Sequence, residues 1–562
     1  MINFNDLPLV IRVKVLSTIV EENYECLSTW KDSLPLMAVC REWRALAKPM
    51  VYGTTIVENL TEDNYDALEY DNGNDNTING NNNDAAIATR PPFVSNIPLI
   101  AAANGTHLVK NLLIYLNEHT LTLDTLKELT TVFNFTQCDW TNVRSMDLEM
   151  RLNYEGRNAD ENKNEYLYNK SPKLEHGMSL FAQALTRSMP EVTRIKARAH
   201  TYDGVAKILF NRLCKAYTHQ LTHLSCYPEI KLPTVSELKG MQYLNIATNS
   251  SVKKPLPQIC PSSLRKMELK QLSANFSWKF FENKYQPNAI SFNNMKSLTM
   301  SYMPLLDDIE AETARMMFEK HYENKKHNVS FPKLEELTIS GGVVDQDMIT
   351  SAVLPSHLKS LTVWESLENL RLCLHLNTQS IGKLRAIINL DYYDSESEFY
   401  RVTNQLFGAA SSCNEVTVEL RNVPFELSPK HMEWSKVTEL IVGNDIEYAT
   451  LTELLCSVPN LVELNVANLS SNFIPEDMLT ADGVVRVDDS AMPLNTSIRK
   501  AWFMNIAEDS SEDMTPLCVQ SLVLRLPSLS SVKTFYLEDE ALEEFTELHQ
   551  HVYPHLNVLE VV

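Results

Sequence analysis

Apolar positions recur along most of the chain in a short unit of the form apolar-x-x-apolar-x-apolar. The alternation at its last positions is the period of a half-buried strand. Clear copies begin at Leu334, Leu358 and Leu461. The full set of starts that fit the pattern is Val109, Val143, Val192, Leu221, Met241, Leu264, Met295, Leu334, Leu358, Leu384, Cys413, Val437, Leu461, Ile498, Val532 and Leu556.

The spacing of these starts predicts a repeat architecture, because a recurring period of roughly 20–50 residues is typical of stacked units. Proline precedes six starts by two or three residues, where it ends a helix and favours an extended chain: Pro190, Pro261, Pro332, Pro355, Pro459 and Pro554. Helix-like stretches such as 205–217 fill the intervals. We therefore expect an α/β fold, an irregular solenoid with parallel strands on its concave side and helices on its convex side. Another kind of α-helical or α/β solenoid is the alternative.

The N-terminal residues 1–50 predict a separate short helical domain. Leu9, Val13, Leu16 and Val20 follow helical spacing, and Pro8 suits the first turn of that helix. A second apolar helix follows, with its stripe at Leu36, Val39, Cys40, Trp43 and Ala47. Because a domain of this size cannot bury all of these apolar side chains, a partner or a neighbouring domain must cover some of them.

Three further segments follow the helical domain. Residues 51–58 are predicted to form the first strand, which could pair with the strand around Leu112. Residues 59–92 are rich in Asn and Asp, and no Lys or Arg occurs between Val51 and Ala88. This composition predicts an acidic flexible loop. The repeats are predicted to occupy residues 93–562.

The N-terminal residues resemble an F-box. The matching elements are Leu7-Pro8, the apolar stretch from Val10 to Leu16, and the run from Val39 to Leu46, which reads Val-Cys-Arg-Glu-Trp-Arg-Ala-Leu. The pattern differs at Leu9-Val10, where an acidic residue is usual, and its interval to Cys40 is longer than usual. With the repeats, the chain resembles F-box proteins that carry divergent leucine-rich repeats, especially those of fungi. An ordinary helical cap on a larger fold is the alternative.

This resemblance implies a role in ubiquitin conjugation. F-boxes bind the Skp-type adaptor of cullin-based ubiquitin ligases, and the repeats of such proteins bind a target protein. The chain would then be a substrate-recognition subunit; the alternative function is a scaffold without ligase association. The resemblance assigns adaptor binding to Leu7, Pro8, Leu16, Val39, Cys40, Trp43 and Leu46.

The composition and charge limit the kinds of partner and the cellular compartments that we expect for this chain. A formal net charge of −22 disfavours binding to nucleic acid or to an anionic membrane. Ten cysteines occur without a C-x-x-C pair, so neither a disulfide framework nor a zinc site is predicted. No secretory signal or apolar run of transmembrane length is visible, and we expect a cytosolic or nuclear protein.

Catalytic signatures are missing from the sequence, which contains no P-loop, dinucleotide-binding, HExxH or GxSxG motif. We therefore predict no enzymatic activity and no cofactor. Binding surfaces are the expected functional sites.

Strand alternation predicts which side chains a target protein would contact. Counting from Val192, Arg194, Lys196 and Arg198 fall on the face opposite the core. They either pair with Asp147 and Glu149 of the preceding strand or form a patch for an acidic or phosphorylated target segment.

Large aromatic side chains are predicted on the same face of other strands. They are Tyr243, Trp364, Trp502 and Tyr536. Aromatic side chains on a solvated face of a sheet are typical of a partner surface. The alternative is that neighbouring loops cover them.

Overall fold

The structure is a computed structural model in which the chain forms two compact units, residues 1–264 and 265–562. The residues that it describes are 9–22, 31, 33–38, 41–58, 93–117, 121–134, 138–151, 172–199, 205–227, 238–247, 262–272, 290–302, 329–341, 358–364, 370, 381–389, 396–409, 413–421, 431–470, 493–506, 522–523, 525–534 and 558–561.

The first unit begins with two helices that pack against each other, α1 (Leu9–Glu22) and α2 (Arg41–Val51). A single 3₁₀ turn at Leu34–Met37 precedes α2, and the Arg44 Nε donates a hydrogen bond of 2.9 Å to the carbonyl of Met37. Leu16 of α1 is fully buried. The predicted helical period therefore gives α1 a buried side, as expected for an apolar helix of a small domain.

The first strand, β1 (Thr54–Glu58), follows α2 after two residues. It starts later than the predicted 51–58, because Val51 still belongs to the last turn of α2. The turn requires a residue without a side chain: a Cβ on Gly53 would lie 2.7 Å from the carbonyl oxygen of Pro49.

The pairing of β1 confirms the predicted link to the strand around Leu112. β1 runs parallel to β3 (Asn111–Asn117), with Thr55 opposite Leu112, and antiparallel to the short β2 (Val94–Ser95). Residues 59–92 connect β1 to β2 in the chain and lie outside the described residues.

The remaining strands of the first unit pair in chain order and in parallel, from β3 onward. They are β4 (Ser145–Arg151), β5 (Arg194–Ala199), β6 (His223–Tyr227) and β7 (Tyr243–Ala247). The helices of this part are α3 (Ile97–Ala102), α4 (Leu123–Asn134), α5 (Pro172–Ser188) and α6 (Val205–Tyr217). α4 packs against α5, and α5 against α6. The helix predicted at 205–217 is confirmed.

In the second unit the described residues again form strands that pair in parallel, eleven in all. They are β8 (Lys266–Leu272), β10 (Ser297–Tyr302), β12 (Glu336–Ser340), β13 (Ser360–Trp364), β14 (Lys383–Asn389), β15 (Glu415–Arg421), β16 (Glu439–Glu447), β17 (Glu463–Ser470), β18 (Lys500–Ile506), β19 (Ser531–Thr534) and β20 (Val558–Val561). The short strands β9 (Ile290–Ser291) and β11 (Val329–Ser330) pair separately. The helices described here are α7 (Glu396–Ala409) and α8 (Tyr448–Ser457).

One backbone contact recurs at many of the described strand entries, whereas at β14, β15 and β16 a single amide makes it. Two consecutive amides share a single carbonyl of the preceding repeat: the N–H groups of Arg144 and Ser145 donate to Lys110, and those of Thr193 and Arg194 donate to Arg144. The same contact occurs in the second unit, for example at Lys296, whose carbonyl accepts from the amides of residues 335 and 336. This contact fixes the register between neighbouring strands.

The apolar positions of the repeat form the core, as the sequence predicts. Val192, Ile195 and Ala197 are buried, and the residues between them on β5 are not. Two predicted starts, Leu384 and Val532, are wrong by three residues. The residues in the start positions are Ile381 and Leu529, which are buried two residues before β14 and β19. Leu384 and Val532 instead pair with Leu361 and Ala501, which makes them the second apolar positions of their copies. Because these second positions are as apolar as the first, hydrophobicity alone does not distinguish them.

In the part of the chain that the structure describes, no helix is long and apolar enough to span a membrane.

Candidate binding surfaces

The predicted adaptor-binding residues divide into three groups in the structure. Leu16 is completely buried between the helices, and Trp43 and Leu46 are half-buried on α2. The others lie outside the described residues: Leu7, Pro8, Val39 and Cys40. Of the three described residues, only Trp43 and Leu46 have surface that a partner could contact directly, and Leu16 holds α1 in place.

The sequence predicts that the N-terminal helices leave some apolar side chains uncovered by each other, but it does not identify the exposed apolar residues of α1. Val10, Ile11 and Val15 are 79, 46 and 38% exposed. Ile11 and Val15 are one turn apart, and with Val10 the three span about 140° of the helix, on the side away from Leu16. They fall outside the stripe that contains Leu16, and this offset is the only signal that the sequence carries for them. We call these three residues the α1 face. Three apolar side chains exposed on one helix are typical of a protein–protein contact.

The basic residues of β5 lie beside the acidic residues of β4. The Lys196 Nζ donates to the Asp147 Oδ2 at 2.7 Å, and the Arg198 guanidinium lies 3.6 Å from the Glu149 carboxylate. The two carboxylates are largely buried and the two cations are about half exposed. Of the two alternatives from the sequence, Lys196 and Arg198 therefore follow the first: they pair with carboxylates of the preceding strand.

Arg194 has different neighbours, because it is opposite Ser145 on β4 and His223 on β6. Within the described residues no carboxylate pairs with its exposed guanidinium. Partial burial and the charge of Arg194 lower the pKa of His223, whose Nδ1 lies 2.8 Å from the Thr222 hydroxyl. Arg194 is thus the one member of the predicted basic patch that remains available to an anionic group of a partner.

The aromatic residue predicted on β7 lies beside this arginine–histidine pair. The Tyr243 and His223 rings are 5.8 Å apart between centroids, and the Asn245 Nδ2 donates to the Tyr243 hydroxyl at 3.3 Å. Tyr243 is half-buried on the face opposite the core. Arg194, His223 and Tyr243 therefore form one continuous row across three strands.

A cluster of charged residues surrounds Trp364 on the strand faces of the second unit. The Glu419 carboxylate is largely buried and accepts two hydrogen bonds. The Arg385 Nη2 donates to its Oε2 at 2.9 Å, and the Arg421 Nε donates to its Oε1 at 2.9 Å. The Arg421 guanidinium carbon lies 5.3 Å from the centre of the Trp364 ring. This distance is within the range of a cation–π interaction. Strand alternation predicts the position of Trp364 but not the charged residues around it, because their contact depends on strand register.

The strand register places Trp364 and Trp502 in the same cross-strand row. Trp364 is opposite Ile387, which is opposite Glu419, and the row continues through Ile441, Asn465 and Trp502. Trp502 is half-buried like Trp364. Tyr536, the fourth predicted aromatic residue, lies outside the described residues.

Four of the described cysteines have thiols with a raised pKa, and the described residues form no metal-binding group. Burial raises the pKa of the Cys138, Cys214, Cys226 and Cys413 thiols, which disfavours the reactive thiolate. Among the described residues, no group of three or more His, Cys, Asp or Glu side chains could hold a metal ion.

The described residues define a mixed α/β protein in which long runs of parallel strands pair in chain order. Comparison with known proteins adds no family to this description, since neither a protein-family model nor a curated protein matches the sequence. The functional interpretation therefore depends on the motif resemblance and on the geometry of the surfaces.

Proposed function

We propose that the chain is a substrate-recognition subunit of a Skp/cullin/F-box-type ubiquitin ligase. In this proposal the N-terminal helices are an F-box that binds the Skp-type adaptor, and the repeats are divergent leucine-rich repeats that bind a target protein. The chain itself performs no chemistry. It raises the effective concentration of the target near the conjugating enzyme, which is a proximity effect.

The α1 face is the single observation that best supports adaptor binding. It exposes Val10, Ile11 and Val15, and Leu16 anchors the same helix by its complete burial. Full burial of one such aliphatic side chain contributes about 1.5–3 kcal/mol. Three of them can therefore supply a large share of the free energy of a specific complex, together with the exposed part of Trp43.

Target binding is assigned to the strand faces opposite the core, considered separately in each unit. In the first unit the row of Arg194, His223 and Tyr243 combines a cation with two rings. In the second unit, Trp364 with its arginines and Trp502 occupy one row. Partner surfaces are enriched in aromatic residues and arginine, which makes these rows the strongest candidates for target contacts.

The direct test measures binding of a purified Skp-type adaptor to the full chain. The test variant carries Val10→Asp and Val15→Asp, and its matched control carries Leu99→Asp, because Leu99 is also exposed, at 51%, but lies on α3. We expect the native chain and the control to bind, and the double variant to lose affinity by about a hundredfold or more.

Circular dichroism and thermal unfolding of each variant separate lost binding from lost folding. If the well-folded native chain does not bind any Skp-type adaptor, the proposal is wrong. The alternative function, a scaffold without ligase association, would then apply. It is favoured by Leu9-Val10, which stand where an F-box usually has an acidic residue.

A further inference from the structure

A groove of about 710 Å³ lies between α4 and α5 of the first unit, away from the strand faces. Its lining residues come from both helices: Leu123, Leu126, Lys127, Thr130, Thr131, Pro172, Lys173, His176, Gly177 and Leu180. This volume is within the range of known ligand sites. Neither the sequence motifs nor the proposed adaptor and target contacts use this groove.

The apolar part of the groove depends on a glycine. A Cβ on Gly177 would lie 2.7 Å from the Leu123 Cδ1 and 3.2 Å from the Leu126 Cδ1, so any side chain there would displace these leucines. Leu180 lies one turn further along α5 and is 42% exposed. The groove therefore presents Leu123 and Leu180 to an apolar side chain of a ligand, while Leu126 is fully buried beneath them.

The polar lining of the groove consists of two threonines and three basic side chains. Lys127, Lys173 and His176 line it, and none of its ten lining residues is acidic. This local balance is opposite in sign to the net charge of the chain, −22. Lys127 pairs with Asp124 at 2.6 Å, but both side chains are more than 60% exposed. Such surface pairs contribute little and exchange readily for another carboxylate.

We propose that this groove binds an acidic amphipathic segment of a partner protein. Its leucine or aromatic side chains would contact Leu123 and Leu180, and its carboxylates would contact Lys127 and Lys173. Helical segments bind grooves between helices in this way. The proposal is independent of the proposed ligase function, because no residue of the groove belongs to the adaptor or target surfaces.

The test selects peptides from a displayed library of random dodecapeptides on the immobilised full chain. The most enriched peptide is then synthesised and its Kd measured by fluorescence anisotropy. The groove variants are Lys173→Glu and Leu180→Asp. The matched controls are Lys110→Glu and Leu99→Asp, which change the same residue types at exposed positions of the same unit.

We expect enriched peptides that combine acidic with apolar residues, and a Kd that rises about tenfold or more in each groove variant but not in the controls. The Kd should also rise with salt. No enrichment, enrichment without acidic residues, or equal Kd values in groove and control variants would each overturn the proposal.

Two other occupants would also overturn it. One is a lipid surface, which would be shown by binding to vesicles with anionic headgroups that the groove variants abolish. The other is the acidic part of this chain at 59–92, shown if the peptide binds only after that segment is deleted.

Discussion

The guanidinium of Arg421 lies over the ring of Trp364, although the two residues belong to strands separated by β14. The same guanidinium donates hydrogen bonds to Glu419. Replacing it therefore removes two contacts at once. We expect Arg421→Met to lower the free energy of unfolding by about 2 kcal/mol, because a charged hydrogen bond and a cation–π contact are lost.

The measurement for this prediction is urea unfolding, with acrylamide quenching of tryptophan fluorescence. Quenching should increase because the Trp364 ring loses its cover. Arg421→Lys is the matched control: it keeps the charge but not the planar fork, and we expect an intermediate result. A free energy of unfolding and a quenching constant both equal to those of the native chain would contradict the assigned contacts.

The two sides of α1 should respond differently to substitution. We expect Leu16→Ala to lower the free energy of unfolding by about 2–5 kcal/mol, because a fully buried leucine leaves a cavity. Val10→Asp should change it by no more than about 0.5 kcal/mol, since Val10 is 79% exposed. Chemical denaturation of the full chain measures both changes in the free energy of unfolding. Hydrogen exchange of the N-terminal helices reports whether these helices are the part that is destabilised. A similar loss in both variants would show that the α1 face is covered within the chain.

The contacts of the Glu335 carboxylate predict that the free energy of unfolding depends on pH. Hydrogen bonds from Lys359 and Lys296, at 2.8 and 3.0 Å, lower the pKa of Glu335 from its usual 4.5 to about 2. A lowered pKa contributes stability that is present above about pH 4.5 and lost as the pH falls toward 2. We expect the stability difference between the native chain and Glu335→Gln to shrink over that interval.

Denaturation at a series of pH values measures this difference. High salt should reduce it at neutral pH, because the pair is exposed to solvent. The matched control is Glu336→Gln, at the adjacent exposed position of β12. A pH-independent difference for Glu335→Gln would be inconsistent with the two lysine contacts.

The contact between Asp147 and Lys196 should appear in a double-mutant cycle. We expect Asp147→Ala and Lys196→Ala to show a coupling free energy between about 0.2 and 1 kcal/mol, since Lys196 is half exposed. Equilibrium unfolding of the two single variants and the double variant supplies the cycle. Arg194→Ala paired with Asp147→Ala is the control cycle and should be additive, because the strand register places Arg194 opposite Ser145. Additivity in both cycles would mean that the ion pair does not form in solution.

The strands could be predicted from the sequence because their core positions are large and apolar. Val192 and Ile195 are examples, and the alternation between them also placed Lys196 and Arg198 on the correct face. The predicted starts at Leu384 and Val532 were displaced because the second core position of each copy is as apolar as the first. Hydrophobicity thus located the strands but did not give the register of every copy.

The candidate surfaces were less accessible to sequence analysis because they depend on neighbours that are distant in the chain. Trp364 could be placed on a strand face, but its contact with Arg421 required the register of three strands. The α1 face required knowledge of which side of the helix α2 covers. The adaptor assignment at Leu7, Pro8, Val39, Cys40, Trp43 and Leu46 stays a prediction from the resemblance.

The shared carbonyl at many strand entries has a consequence for how the chain tolerates changes in length. The same contact forms whether 20 residues separate its donor and acceptor, as from Thr222 to Gln242, or 49, as from Arg144 to Thr193. The length of the connecting segment is therefore uncoupled from strand alignment, since lengthening a loop costs little free energy. Insertions between Arg144 and Thr193 can add new binding loops while every strand keeps its partners.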